Sequence, residues 1–314
     1  MPATNLRLLK KLLLQRFHLK IGLPVLQIKD LTRMAVDGEG LQSKVTLNDG
    51  YKMPLFGLGV FKALGDDGKG AVKFALQNGY RMIDTAALYG NEAEVGQAIK
   101  DSGLKREDIF VVTKLQSNAH GYNQCLEAFN LSLKKLDIDY VDLYLIHSPT
   151  PGENVNSYKA MLKLQEQGLI RSLGVSNFGV LHLEEMEKAG LPTPAVNQIE
   201  LNPFWRLDDI VSHCRQKGIA LMGYCPLFRG RKNNDPVLVE MASRYKKTVP
   251  QLLIRWSVQK HYITIPKSTQ KDRIIENVDV FDFVITEEDM KVLDNMPTEQ
   301  CASLPNITNA PWKG

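Results

Sequence analysis

Short apolar runs recur along the chain between residues 55 and 266, separated by longer amphipathic segments of roughly ten to fifteen residues. The alternation has the rhythm of βαβ units. It predicts eight strands, over residues 55–60, 81–86, 109–115, 141–147, 172–176, 195–201, 220–224 and 263–266. Ahead of them, residues 45–53 read as a β-hairpin, because Asp49-Gly50 between short alternating segments suits a type I′ turn.

The intervening segments carry helix signals. Asn91 followed by Glu94 has the form of a capping box, and Gly103, Gly168, Gly190 and Gly218 stand where helices should stop. Two helices fit between the last two strands, over residues 236–245 and 250–260, and one more follows over residues 287–295. Eight strands, each followed by a helix, form the pattern of an α/β (β/α)8 TIM barrel with an N-terminal hairpin and extra helices around the eighth repeat. A doubly wound open sheet competes, but it would carry a Gly-x-Gly-x-x-Gly after its first strand. Here Gly57-Leu58-Gly59 is followed by Lys62 where the third glycine should stand.

Composition narrows the class. The 314 residues are 44% apolar and 24% charged, with a formal charge of +4, and no basic stripe interleaved with aromatics suggests nucleic acid. No apolar run approaches the length of a membrane span. Cys125, Cys214, Cys225 and Cys301 are far apart, which argues for a reducing compartment and against a disulfide framework or structural zinc. The six histidines show no ligand spacing, so no metal is expected. Residues 1–33 contain seven Lys and Arg and one acid, Asp30, among leucines. They read as a basic extension to a single domain over residues 34–314. A cytoplasmic location is expected, or a mitochondrial one if the extension acts as a presequence.

Barrel enzymes place their chemistry at the C-terminal ends of strands. Those ends are Gly59, Asp84, Lys114, His147, Ser176-Asn177, Gln198, Tyr224 and Lys267, and nearly all are polar. A single polar strand end is ordinarily a solvated or capping group; eight in succession converge on one mouth with no structural need for them.

Several motifs in order then resemble one family. Tyr80-Arg-Met-Ile-Asp84-Thr-Ala-Ala-Leu-Tyr89-Gly-Asn-Glu, Val112-Thr-Lys114-Leu and Asp142-Leu-Tyr-Leu-Ile-His147 are similar to the signatures of the aldo-keto reductases. So are Gly174-Val-Ser176-Asn177-Phe178, Val196-Asn-Gln198 and Ile265-Pro-Lys267-Ser268-Thr269 with Arg273, Glu276 and Asn277. The resemblance runs from about residue 44 to residue 296. It looks closest to the short-loop branch of prostaglandin F synthase-like and 2,5-diketogluconate reductase-like members.

The resemblance implies NADPH-dependent reduction of aldehydes and ketones, usually by a monomer. Tyr89 would donate the proton, with Lys114 lowering its pKa and Asp84 holding Lys114. His147 would orient the carbonyl and stabilise developing charge. Gly59, Val60, Phe61 and Asp84 would border the cofactor. Ser176, Asn177 and Gln198 would bind its carboxamide, and Tyr224 would stack on the nicotinamide, continuing into Cys225, Pro226 and Leu227. Lys267, Ser268, Thr269, Arg273, Glu276 and Asn277 would hold the adenosine phosphate.

The substrate would meet Phe61, Tyr89, Gln116, His147 and Ser148. Many carbonyl-reducing members carry tryptophan where Phe61, Gln116 and Ser148 stand, so the pocket should be less aromatic and more polar. The loop over residues 228–235 is basic, through Arg229, Arg231 and Lys232. The alternative function is an NADP(H)-binding redox-sensing subunit with little turnover. A barrel glycosidase using Asp84 and Glu200 would leave Lys114 without a purpose.

Overall fold

The computed structural model describes residues 36–299, Glu39 apart. The predicted basic extension and Cys301 lie outside the described residues. Strands β1 (Val36–Asp37), β2 (Lys44–Thr46) and β3 (Lys52–Pro54) form a small antiparallel sheet. The hairpin forms in the expected place, with Val45 opposite Met53, but its turn differs from the type I′ expectation. Only Gly50 has a positive φ, of 91°. Leu47 and Tyr51 close a three-residue loop by a 2.8 Å hydrogen bond, with Gly50 N–H donating back to Leu47. The extra loop residue moves the single left-handed position onto glycine. Strand β1 is an addition to the expected elements, since two residues are too few to show a period.

Eight strands follow in parallel, in sequence order across one sheet: β4 (Leu58–Gly59), β5 (Met82–Asp84), β6 (Phe110–Leu115), β7 (Val141–Ile146), β8 (Ile170–Ser176), β9 (Val196–Glu200), β10 (Ala220–Tyr224) and β11 (Ile263–Thr264). The sheet closes on itself. Thr264 N–H donates to Leu55, Gly57 N–H to Thr264 and Gly59 N–H to Pro266, over 2.9–3.1 Å. At that seam only a glycine fits comfortably, because a Cβ on Gly59 would sit 3.0 Å from the Ile265 carbonyl oxygen. All eight expected strands are present, and the (β/α)8 barrel is the fold.

Ten helices stand in the described residues: α1 (Gly65–Gln77), α2 (Glu92–Asp101), α3 (Tyr122–Leu136), α4 (Asn154–Glu166), α5 (Val180–Lys188), α6 (Asp208–Lys217), α7 (Pro236–Arg244), α8 (Val249–Gln259), α9 (Lys271–Val278) and α10 (Glu287–Asp294). None is long and apolar enough to cross a membrane. Gly103, Gly168, Gly190 and Gly218 end α2, α4, α5 and α6 with φ near +70°, the left-handed stop that glycine permits. The three helices foreseen in the C-terminal third have real caps. Asp235 accepts from Val237 and Leu238, Thr248 forms a capping box with Gln251, and Thr286 accepts from Asp289. The capping box expected at Asn91 is absent, for a reason that belongs to the site below.

The end of the barrel at which the strands begin is tied by Asp142, which is buried. Its Oδ2 accepts from Arg106 at 2.7 Å and from the Val111 N–H at 2.9 Å, and its Oδ1 accepts from Arg171 at 2.8 Å. Both guanidiniums lie over the Tyr140 ring, at 4.2 and 4.0 Å from its centre. One carboxylate thus joins the starts of β6, β7 and β8, while the opposite end is left for loops. Replacing it leaves two partly exposed guanidiniums short of their buried acceptor. Asp142→Asn is therefore expected to lower unfolding stability by about 3 kcal/mol. Urea denaturation checks this; an unchanged midpoint would show that the arginines are satisfied by water.

Candidate active site

The strand register carries candidate residues to the mouth. Asp84 ends β5, and Lys114 lies one residue from the end of β6 with its side chain turned into the barrel. The His147 N–H donates to Leu115 at 3.0 Å, which extends the β6–β7 ladder one step beyond its last pair, Leu115 and Ile146. Gln116 and His147 therefore stand side by side, about 4.8 Å apart across the strands. On the other flank, Ile146 pairs with Val175, so Ser176 is the next neighbour of His147. Ser176 then pairs with Gln198, and Gln198 with Met222. Gln116, His147, Ser176 and Gln198 form one row around the inner rim, although they follow or end four separate strands.

At the centre is a buried ion pair. Lys114 is fully enclosed, and its Nζ lies 2.7 Å from Asp84 Oδ1. It also donates to the Thr85 carbonyl at 2.8 Å and approaches the Tyr89 hydroxyl at 3.4 Å. Burial pulls the Lys114 pKa below its ordinary value, and the Asp84 charge opposes that shift. The second Asp84 oxygen accepts from Gln198 Nε2 at 2.7 Å. A carboxylate only accepts, so the nitrogen end of Gln198 faces it, and the same nitrogen lies 3.0 Å from Met222 Sδ.

Tyr89 packs against Phe61, with ring centres 5.0 Å apart, and edge-on to His147 at 5.6 Å. The expectation that Lys114 lowers its pKa is corrected here. Burial, followed by the Asp84 charge, pushes the phenol well above its ordinary value. Asp84 compensates the lysine at close range, so the phenol faces an ion pair rather than a bare cation. Tyr89 holds its proton. Burial and the Lys114 charge push His147 down to about 3, so its ring is neutral. Its Nδ1 is enclosed and has no partner.

Asn177 ties three strand ends together. It sits at φ 62°, a left-handed conformation that asparagine tolerates better than most residues. Its Nδ2 donates to the His147 carbonyl at 3.0 Å and to Ser176 Oγ at 3.1 Å, and its Oδ1 accepts from the Tyr224 hydroxyl at 2.8 Å. Both amide hydrogens are thereby engaged within the protein. Cys225, which follows Tyr224, is half-buried at φ 51°, leading into Pro226 and Leu227.

Beyond the β4–β11 seam, Lys267 and Arg273 are exposed on either side of the start of α9. Neither has an acidic partner among the described residues. Ser268 and Asn277 beside them are buried. Glu276 accepts from Thr248 at 2.7 Å, and so joins α9 to the start of α8. Thr269 is half-buried between them. At the substrate side Phe61 is 41% exposed, while Ser148 is enclosed and its hydroxyl oxygen accepts from Thr150 N–H. The basic loop is partly committed: Lys232 pairs with Glu299, and Arg231 lies over Phe228.

Sequence reasoning missed Asn91 and Glu92 as parts of the site's frame. Asn91 Nδ2 donates to Val60 and Ala63, both at 2.8 Å, and its Oδ1 accepts from Thr85 Oγ1 at 2.7 Å. Thr85 takes the side-chain oxygen that a cap would have used, and the loop after β4 takes the amide hydrogens, which is why the capping box fails. Glu92 accepts from Thr113, next to Lys114, at 2.6 Å. Both lie inside the signature stretch, which local spacing explains as a helix start. Cys125 and Cys214 are buried thiols, and the described residues contain no metal-ligating cluster.

A closed barrel whose mouth gathers a phenol, an ion-paired lysine and a neutral imidazole belongs with the TIM-barrel enzymes. The model of the aldo/keto reductase family matches residues 65–297. The glyoxal reductase of Bacillus subtilis (strain 168) is 43% identical over 261 residues, 83% of this chain and 95% of the relative. An aldo-keto reductase from a Medee basin deep-sea metagenome library has a crystal structure 44% identical to this chain, with a TM-score of 0.79 over 81% of this chain and 95% of that one. The Bombyx mori aldo-keto reductase, solved in complex with NADP, is 34% identical with a TM-score of 0.79, over 87% of this chain and all of that one. The chain belongs to the aldo/keto reductase family.

The depressed His147 pKa has a consequence for stability. Folded, it titrates at about 3; unfolded, near its ordinary 6.5. Its contribution is therefore present above 6.5 and is lost as pH falls towards 3, because the unfolded chain takes up the proton first. The stability difference between wild type and His147→Gln is expected to shrink on acidification below pH 6, with a slope approaching about 1.4 kcal/mol per pH unit. Parallel urea titrations check it. A difference independent of pH would mean that the imidazole is not held neutral.

Proposed function

We propose that this protein reduces aldehydes and ketones to alcohols with NADPH, using Tyr89 as the proton donor. The observation that carries the reading is the enclosed Asp84–Lys114 pair with the Tyr89 oxygen 3.4 Å from Lys114 Nζ. A buried lysine placed there has no packing purpose. It supplies positive charge at the one oxygen that must give up a proton.

The residues present fit NADP(H). Lys267 and Arg273, with no acidic partners, suit a phosphate at the start of α9. The amide oxygen of Gln198 and the hydroxyl of Ser176 suit a carboxamide, and the ring of Tyr224 is held by its bond to Asn177. Asn177 then supports this subsite mainly by positioning, since its own donors are engaged. When bound, NADPH supplies the hydride. The protein's part is to hold the carbonyl oxygen between the Tyr89 hydroxyl and the neutral His147 ring. Tyr89 passes its proton to that oxygen, and Lys114 stabilises the phenolate left behind. The high pKa of Tyr89 keeps the proton in place until charge develops on the substrate oxygen.

A redox-sensing subunit would need the cofactor site and none of the proton machinery, so the complete set of Asp84, Tyr89, Lys114 and His147 favours turnover. Tyr89→Phe is expected to lose turnover by about 10²-fold or more. NADPH binding, followed by quenching of protein fluorescence, is expected to persist. A Tyr89→Phe protein with wild-type turnover would refute the proton-donor role. Arg273→Ala is expected to weaken NADPH binding about tenfold and leave NADH binding little changed. Equal effects on the two cofactors would show that Arg273 does not face the 2′-phosphate.

A further inference from the structure

The signature stretch that carries Tyr89 begins with a second tyrosine, Tyr80, which stands just ahead of β5 at the end of the strand opposite the mouth. Its ring is fully enclosed and packs against Phe56 with centres 5.6 Å apart, and Phe56 meets Phe281 edge-on at 6.0 Å. A phenylalanine would fill that space as well. The hydroxyl is the part that calls for a reason, because a buried hydroxyl is tolerated only where it is bonded. It donates to the main-chain carbonyl of Ile274 at 2.8 Å. Burial raises its pKa, so the hydrogen is always in place.

Ile274 is a fully buried residue of α9 and directly follows Arg273. The C-terminal end of this helix is tied to the start of α8. Gln251 Nε2 donates to the Glu276 and Asp279 carbonyls at 3.2 and 3.0 Å, Thr248 Oγ1 donates to Glu276 at 2.7 Å, and Lys247 pairs with Asp279 at 2.8 Å. The N-terminal half has no such tie to α8. Among the described residues, the Tyr80 hydroxyl is the one side-chain group from outside the helix that hydrogen-bonds to the main chain of residues 271–274. A carbonyl oxygen has two lone pairs, so this bond is added to the helix ladder without displacing it. A short helix held at one end can pivot about it; a second fixed point sets its axis.

We infer that Tyr80 is a positioning residue for cofactor discrimination: its bond to the Ile274 carbonyl fixes the turn of α9 that presents Arg273 to the 2′-phosphate of NADPH. This rests on the cofactor reading above. Arg273 is exposed and has no acidic partner to hold it, so its place is set by its own backbone. A guanidinium meets a phosphate through a planar fork, which makes the contact sensitive to small displacements. The other groups of the subsite are placed by other means. Lys267 is bridged in register with Gly59 at the barrel seam, and Asn277 lies in the half of α9 that α8 holds. NADH has no 2′-phosphate and makes no demand on Arg273, so the Tyr80 bond bears on NADPH alone.

The test titrates NADPH and NADH, by quenching of protein fluorescence, into wild type, Tyr80→Phe, Arg273→Ala and the double variant, each first shown by urea denaturation to be folded. Tyr80→Phe is expected to raise the Kd for NADPH about 3- to 5-fold and to leave that for NADH unchanged. In the Arg273→Ala background the same substitution is expected to leave NADPH binding unmoved, because the contact it serves is already gone. Phe56→Leu loosens the ring packing and keeps the hydroxyl; it is expected to lower the urea midpoint without moving the ratio of the two Kd values. An unchanged NADPH Kd in Tyr80→Phe, equal weakening of both cofactors, a loss that persists in the Arg273→Ala background, or the same shift of ratio in Phe56→Leu would each overturn the inference and leave the cofactor reading intact. A wild type that binds NADPH no more tightly than NADH would overturn both.

Discussion

The contact on which the site depends is the one between Asp84 and Lys114. A lysine with no exposed surface is costly to ionise, and an uncompensated charge in such a place costs several kcal/mol. Asp84, at 2.7 Å, makes the ammonium tolerable. The Thr85 carbonyl takes a second of its hydrogens, and the Tyr89 oxygen is the nearest group left for the third. The aspartate is shared with Gln198, so the same carboxylate fixes the lysine behind the phenol and the amide on the far wall of the mouth. Asp84 acts here as a positioning residue. The proton stays on Tyr89, because burial, and after it the Asp84 charge, disfavours the phenolate.

The barrel divides its labour between its two ends. Where the strands begin, Asp142 and its two arginines bind β6, β7 and β8 into one rigid block. Both oxygens of Asp142 are spent there, on Arg106, Arg171 and the Val111 N–H. Where the strands finish, several groups are held but incompletely satisfied: the enclosed Nδ1 of His147 and the cations of Lys267 and Arg273. Unmet capacity on a stiff frame is what a binding site requires, and it is found at the end where the βα loops converge.

Much of this is legible in the sequence, for identifiable reasons. The eight strands are readable because each is a short apolar run bounded by punctuation, and the left-handed glycines at the ends of α2, α4, α5 and α6 mark their stops. The reactive set is readable because Asp84, Lys114 and His147 terminate successive strands, and the signature stretch supplies Tyr89. What stays hidden are relations between distant segments. Asn91 looks like a helix cap in one dimension; in three it holds the loop after β4. The shared use of Asp84 by Gln198 spans more than a hundred residues. The direction of the Tyr89 shift depends first on how deeply the phenol is buried and then on the Asp84 charge beside it, which no spacing reports. The single rim row emerges only from the strand register, which sets residues 116, 147, 176 and 198 side by side in turn.

Whether Asp84 and Lys114 work as one unit upon Tyr89 is tested most directly by a double-mutant cycle. The readout is the single-turnover rate of NADPH oxidation with a saturating aldehyde in Asp84→Asn, Lys114→Met and the double variant, each first shown to be folded and to bind NADPH. If the pair is the unit, the double variant is no slower than the slower single variant, because either substitution already removes the shared function. If the two losses multiply, Asp84 and Lys114 act independently, and the ion pair is not what equips Tyr89 to give up its proton.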